Sequence, residues 1–159
     1  MSDLSDDYAE LLDQQLDKVD LANTRLRKAS WRGVEVRGAR LTGIDMTDST
    51  LERVTFGGCR IDLATLAFAR LRQVAFEDCV LVETMLMEAQ LDHVRFERCD
   101  LRAADLRGAR LTKCQLRGCR LDGVVGAEQL RGAALPWPDI VENAGVWAGA
   151  LGIEVLEED

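Results

Sequence analysis

Several kinds of segment are absent from this sequence of 159 residues. No run approaches the roughly 18 consecutive apolar residues that a membrane-spanning helix requires. The first ten residues are acidic, whereas a secretory signal peptide starts with basic residues and continues with apolar ones. No phosphate-binding loop and no dinucleotide-binding glycine motif occurs. We therefore expect a cytoplasmic protein with no membrane segment and no nucleotide cofactor.

Side chains that carry chemistry are also scarce. His93 is the only histidine, and the spacing of the sequence places no nucleophile beside it. A zinc site needs cysteines paired two to four residues apart, and no such pair with a nearby histidine is found. The five cysteines are Cys59, Cys79, Cys99, Cys114 and Cys119. The sequence therefore predicts no catalytic residue, no metal site and no cofactor.

Charge is abundant but unevenly distributed. Apolar residues make up 47% and charged residues 30% of the chain, which is typical of one folded domain. The formal net charge is −8, of which residues 1–18 contribute −5 and residues 125–159 contribute −6. The segment 19–124 between them carries +3. The acidity therefore belongs to the two ends, and the middle of the chain is nearly neutral.

A period of five residues organises that middle segment. Every fifth residue from Leu21 to Leu121 is apolar, and every fifth residue from Val19 to Val124 is uncharged and no larger than Ile. Neither a helix, with a period of 3.6, nor a strand, with a period of 2, matches this spacing, so each unit must turn a corner. Glycines that end a unit predict a backbone with positive φ at that corner. They are Gly33, Gly38, Gly43, Gly58, Gly108, Gly118 and Gly123.

A second period of 20 residues is superimposed on the first. Phe56, Phe76 and Phe96 are 20 residues apart, so four units are expected to make one coil. Coils stacked at the ~4.8 Å spacing of β-strands would form a rod on the order of 25 Å long. All five cysteines fall on the small inward position, and four of them are 20 residues apart. They are therefore predicted to pack in the core as reduced thiols.

Individual units carry a family resemblance. Residues 99–103 (CDLRA) and 104–108 (ADLRG) resemble the A(D/N)LXX unit of the pentapeptide-repeat family, and the resemblance covers about residues 19–125. It implies an all-β solenoid, a right-handed quadrilateral β-helix of about five coils. The second position of the unit departs from the family pattern where arginine replaces Asp or Asn. These arginines are Arg40, Arg60, Arg70, Arg110 and Arg120.

Both flanks of the repeat are expected to be helical caps, because a solenoid exposes an open core at each end. Residues 1–18 form the predicted N-terminal cap, with a helix over residues 5–17 that starts at Ser5. Residues 126–159 form the predicted C-terminal cap. Its helix is expected from Pro138 to about Ala150, followed by a short strand or an extended tail.

Two apolar surfaces are candidate interaction sites. Outward positions on two adjacent faces hold apolar side chains, which predicts either a contact patch or scattered surface residues. These residues are Leu63, Phe68, Val80, Val82, Met85 and Met87. The C-terminal cap is the second surface, because proteins similar to this one often form homodimers through that end. Its candidate interface residues are Trp137, Ile140, Ala144, Trp147 and Leu151.

Three functions compete on this basis. The first is a non-enzymatic scaffold that binds an unidentified protein partner. The second follows from the resemblance: some family members imitate duplex DNA and bind DNA gyrase, which confers quinolone resistance. Such mimicry needs negative faces, and the nearly neutral middle segment disfavours it. Direct nucleic-acid binding is the weakest hypothesis, because acids are interspersed among the basic residues and the stacking aromatic side chains are not outward.

Overall fold

A computed structural model describes residues 7–158, which form a four-sided β-solenoid followed by short helices. All strand pairs are parallel. The strands are β1 (Glu10–Leu12), β2 (Gln15–Asp17), β3 (Ser30–Arg32), β4 (Glu35–Arg37), β5 (Thr50–Gly57), β6 (Arg70–Glu77), β7 (Gln90–Asp92), β8 (Arg95–Glu97), β9 (Arg110–Thr112) and β10 (Gln115–Arg117). The predicted β-helix is confirmed.

Each coil contains 20 residues. The register pairs Leu51 with Leu71 and Phe56 with Phe76, so identical or similar side chains lie directly above one another. Five complete coils occupy residues 9–108, and a sixth ends at Val125. Four units therefore make one coil, as predicted, although the solenoid begins before residue 19.

The four sides of the solenoid are numbered here along the chain. Face 1 contains β1, β3, the first halves of β5 and β6, β7 and β9, and face 2 contains the remaining strands. Faces 3 and 4 are held by isolated parallel bridges, which begin at Asp20↔Arg40 on face 3 and at Arg25↔Asp45 on face 4. The central inward residues start at Leu11, Leu16, Leu21 and Leu26 on faces 1 to 4 and recur every 20 residues.

The interior is filled by the two inward positions of each unit. On face 2, Phe56, Phe76 and Phe96 are buried, and consecutive rings stack with centroids 5.0 Å apart and planes inclined by 5°. Trp31 extends this aromatic column from face 1, with its ring 6.4 Å from that of Phe56. Ring stacking at this separation adds to the hydrophobic gain from burial.

The backbone at the corners of the coils has the predicted conformation. The glycines predicted to have positive φ do so, with values from 61° at Gly38 to 72° at Gly123. Many residues other than glycine adopt the same conformation at the last position of their units, including Leu63 and Phe68. A left-handed backbone costs a residue other than glycine roughly 1 kcal/mol. The coil therefore dictates this conformation whether or not a glycine is present.

The predicted N-terminal helix is wrong over its described part. Residues 10–12 and 15–17 are strands β1 and β2, which pair with β3 and β4. Leu11 and Leu16 continue the five-residue spacing of inward positions, and a helical stripe shares those positions by coincidence. Gln14 occupies an inward slot that holds small residues elsewhere, and its side chain is tolerated because it is exposed at the end of the rod. Ser5 lies outside the described residues.

The C-terminal segment closes the last coil. Leu130, in the 3-10 helix Ala127–Leu130, is buried, and Val146 and Trp147 pack against the core. The carboxylate of Asp139 accepts a hydrogen bond from the Gly118 N–H at 2.6 Å. Asn143 accepts one from the Leu121 N–H at 3.3 Å and donates another to the Cys119 carbonyl at 3.5 Å. Side chains thus satisfy the edge groups that a seventh coil would bind.

One long C-terminal helix was expected, and two short ones are present. They are α1 (Trp137–Glu142) and α2 (Ala144–Ala150), with Asn143 between them at φ −104°. The break occurs because Asn143 is turned to the last coil, where its side chain is buried. Residues 153–158 form neither helix nor strand. Within residues 7–158, no helix is long and apolar enough to cross a membrane.

The aromatic column predicts a clear difference between two phenylalanines. Phe76→Ala removes a fully buried ring between two others, and we expect it to destabilise the fold by about 3–5 kcal/mol. Phe68→Ala is the matched control, because this ring is exposed and its removal should change stability by no more than about 0.5 kcal/mol. Urea denaturation followed by circular dichroism measures both. Equal costs for the two substitutions would contradict the assignment of inward and outward positions.

Candidate interaction surfaces

The six residues of the predicted patch all point outward in coils 3 and 4. Leu63 and Phe68 are 52% and 56% exposed, and the other four are half-buried. The Leu63 N–H donates to the Val82 carbonyl at 3.0 Å, and the Phe68 N–H donates to the Met87 carbonyl at 2.9 Å. These bonds join the two coils, so the structure brings the six residues together as one surface over faces 3 and 4.

Leu63 and Phe68 are unusual for the positions they hold. In coils 2 to 6, the other corner residues with positive φ are glycine, alanine or polar residues. A large apolar side chain at such a corner is not stabilised by burial, and its left-handed backbone conformation still costs free energy. Neither the fold nor the core therefore accounts for these two side chains.

Ion pairs border the patch on both sides along the rod. In coil 3, Arg60 lies 3.8 Å from Asp62. In coil 5, Arg102 lies 2.7 Å from Asp100, and the hydrogen bonds from its guanidinium lower the pKa of Asp100. Arg107 pairs with Asp105 in the same way and also contacts the sulfur of Met87 at 3.7 Å. An apolar centre with a polar rim is the arrangement of a protein contact surface.

The five residues of the predicted dimer interface fall into two groups, one exposed and one packed against the solenoid. Trp137 and Leu151 are 74% and 77% exposed, and Ala144 is also exposed. Trp147 is half-buried against the core, and its indole N–H donates to the carbonyl of Ile140 at 2.9 Å. Trp147 and Ile140 therefore belong mainly to the cap. Val141, which sequence reasoning missed, is exposed on α1 and joins Trp137 on that surface.

The cysteines lie inside the solenoid as predicted. All five are free and buried, and the thiol of Cys99 contacts the carbonyl of Phe76 at 3.2 Å. Burial raises the pKa of the Cys114 thiol, which keeps it protonated. Among residues 7–158, no group of three or more His, Cys, Asp or Glu side chains is placed to hold a metal ion. The residues that the structure describes therefore offer no metal centre.

Other candidate chemistry is equally sparse. His93 is exposed, and its Nδ1 lies 2.6 Å from the carboxylate of its neighbour Asp92. Among residues 7–158, no serine or cysteine is a hydrogen-bond partner of this side chain. The core contains an apolar void of about 10 Å³ near its C-terminal end, lined mainly by leucines. This void is too small for an organic ligand.

Comparison with protein families identifies the class of the molecule. A family model described as pentapeptide repeats (8 copies) matches residues 15–53, and one described as a pentapeptide repeat region matches residues 49–125. Together the matches span more than two thirds of the chain. The chain belongs to the pentapeptide-repeat family. A comparison with proteins of curated function found no match.

Several solved structures are similar to this chain at low identity. A pentapeptide-repeat protein of the Arabidopsis thaliana thylakoid lumen is 15% identical, with 84% of this chain and 77% of that chain covered and a TM-score of 0.49. QnrB1, a plasmid-mediated fluoroquinolone resistance protein, is 15% identical over 94% of this chain and 100% of its own, with a TM-score of 0.34. HetL of the cyanobacterium Nostoc, involved in heterocyst differentiation regulation, is 17% identical over 86% and 92%, with a TM-score of 0.22.

Proposed function

We propose that this chain is a rigid protein-binding scaffold without catalytic activity, and that its contact surface is the patch over faces 3 and 4. The observation that carries the proposal is the pair Leu63 and Phe68, whose large apolar side chains are exposed at corners that otherwise hold glycine, alanine or polar residues. Each keeps a backbone conformation that favours glycine. Contact with a partner would recover the free energy that the exposed side chains forgo in the unbound chain.

The charges around the patch indicate the chemistry of this partner. Glu83 and Glu88 are exposed at the corners of coil 4, beside Val82 and Met87, and neither has an ion-pair partner among residues 7–158. The arginines of the rim are already paired with Asp62, Asp100 and Asp105. A partner with an apolar surface flanked by lysine or arginine therefore fits best. The two methionines can adapt their shape to it.

The patch is tested with the double variant Phe68→Arg/Met87→Glu. We expect proteins captured from the native host by the unmodified chain to be lost from this variant, and a purified partner to bind it at least about tenfold more weakly. Gln90→Arg/Gln115→Glu is the matched control, because it introduces the same two charges at exposed positions of faces 1 and 2. Unchanged binding by the patch variant would exclude this surface.

A homodimer through the C-terminal end is the second part of the proposal. Trp137, Val141 and Leu151 expose large apolar side chains close together in sequence, at the end of the rod that the cap closes. Their exposure exceeds what a lid needs, since Leu130, Val146 and Trp147 already cover the core. A two-fold contact between two such ends would bury these side chains in both copies.

Trp137→Glu tests this interface. We expect the unmodified chain to sediment as a dimer at micromolar concentration and the variant as a monomer, because the new carboxylate would be buried without a partner. Leu12→Glu adds the same charge at an exposed leucine near the other end of the rod and should leave the dimer intact. If the unmodified chain sediments as a monomer at every concentration, the interface does not exist.

The DNA-mimicry hypothesis stays a prediction that the charge arrangement disfavours. Most acidic side chains on faces 2 to 4, such as Asp78, Asp100 and Asp105, form ion pairs with arginines, so these faces carry little net negative charge. Mimicry would therefore have to use the acidic ends. A gyrase supercoiling assay decides the matter: we expect no inhibition and no protection from quinolones at micromolar chain concentration. Inhibition would support the hypothesis.

A further inference from the structure

One side of the rod carries more positive charge than its acids neutralise, because six cations stand against two acids, Glu52 and Asp92, which the register places beside Arg72. Six exposed cations lie on face 1 and its corner with face 2, between coil 2 and coil 6. They are Arg32, Arg53, Arg70, Arg72, Arg110 and Lys113. None of them has an ion-pair partner within 4.0 Å among residues 7–158. The acids of face 1 in these coils are Glu52 and Asp92, and Asp92 is paired with His93.

On the other three faces, most arginines form ion pairs. Every arginine ion pair within residues 7–158 lies on faces 2, 3 or 4. Arg98 with Asp78 on face 2 and Arg40 with Asp20 on face 3 join successive coils, at 2.8 Å and 3.2 Å. Face 1 is therefore a local excess of positive charge on a chain whose net charge is −8.

This excess is confined to a short length of the rod. From Arg32 to Arg110 there are four coil steps, or about 19 Å at ~4.8 Å a step. Beyond Arg32, face 1 ends in the acids Glu10 and Asp13, and beyond the last coil the chain is acidic again. A long polyanion such as duplex DNA would meet repulsion at both ends of the rod. A short acidic segment of a protein fits the face better.

The chain itself contains such a segment. Residues 151–158 leave the end of α2 without regular structure, and each of them is exposed. Glu154, Glu157 and Glu158 have no ion-pair partner among residues 7–158, and Asp159 ends the sequence. Fully extended, eight residues reach about 26 Å, which is enough to span the cationic row of about 19 Å. Arg110 and Lys113 are in the last coil, at the end of the rod from which the tail leaves.

We propose that face 1 binds the acidic tail, residues 151–158, of a second copy of this chain. Among residues 7–158, the acids of the tail and the six cations of face 1 lack ion-pair partners, so their complementary charges are available to another copy. The inference deepens the proposed homodimer and rests on it, since a contact between C-terminal ends brings each tail to the last coil of its partner. Several charges acting together give such a contact more strength than a single surface ion pair has.

A peptide-binding measurement tests the face directly. A fluorescent peptide of residues 150–159 is added to the full chain carrying Glu157→Lys/Glu158→Lys, so that its own tail does not compete. We expect saturable binding by anisotropy in 50 mM NaCl, weakened at least about tenfold in 500 mM NaCl as screening increases. Arg110→Glu/Lys113→Glu in the same chain should abolish binding. A peptide with lysine in place of its glutamates should then bind that variant.

The control variant is Arg40→Glu/Arg120→Glu, which makes the same charge change at exposed positions of face 3. It should leave peptide binding within about twofold. Equal weakening by the face 1 and face 3 variants would reduce the effect to net charge and overturn the proposal. Tighter binding of a 12-base-pair duplex than of the peptide would assign the face to nucleic acid and also overturn it.

Sedimentation separates this inference from the proposed dimer interface. We expect Glu157→Lys/Glu158→Lys to weaken the dimer about tenfold, whereas Trp137→Glu should abolish the dimer and leave peptide binding unchanged. If the tail variant keeps the full dimer affinity while the peptide binds face 1, the tail docks on its own chain and the second copy is the wrong occupant. A dimer that forms while the peptide does not bind overturns the tail proposal alone.

Discussion

Register between coils is the constraint on which the rest of this molecule depends. Between coils 1 and 6 each paired residue lies beside the residue 20 places further on, so backbone hydrogen bonds run along the rod and hold coil on coil. Because the pairing is in parallel and without slippage, similar side chains stack in rows, as the rings of Phe56, Phe76 and Phe96 do. A side chain that suits one coil must therefore also suit the coils above and below it.

This constraint acts unequally on the five positions of a unit. The two inward positions must fill a narrow core, so they are restricted to apolar or small residues such as the cysteines of face 3. The outward positions face water, and the fold places few demands on them. Their composition can follow function, which is why Leu63 and Phe68 on one side and the unpaired arginines on another carry more functional information than any buried residue.

The fold could be predicted from the sequence because the inward positions repeat, and the prediction failed where the repeat ends. Leu11 and Leu16 belong to the first coil, but Gln14 and the nearby acids resemble one turn of an amphipathic helix as closely as a strand pair. At the other end, Asn143 breaks the expected helix because it binds the last coil. Such contacts between remote segments leave no periodic signal in the sequence.

The two candidate surfaces also differ in whether the sequence could predict them. The patch could be located from the five-residue spacing, because that spacing decides which side chains point outward. The cationic face could not, since an arginine such as Arg102 looks the same in the sequence as Arg72, and only the structure shows that the first is paired and the second is not. The segment 19–124 has a small net positive charge. On three of its faces the charges nearly cancel, and face 1 carries the excess of positive charge. Local pairing decides what each face can bind, because screening in physiological salt limits charge effects to about 8 Å.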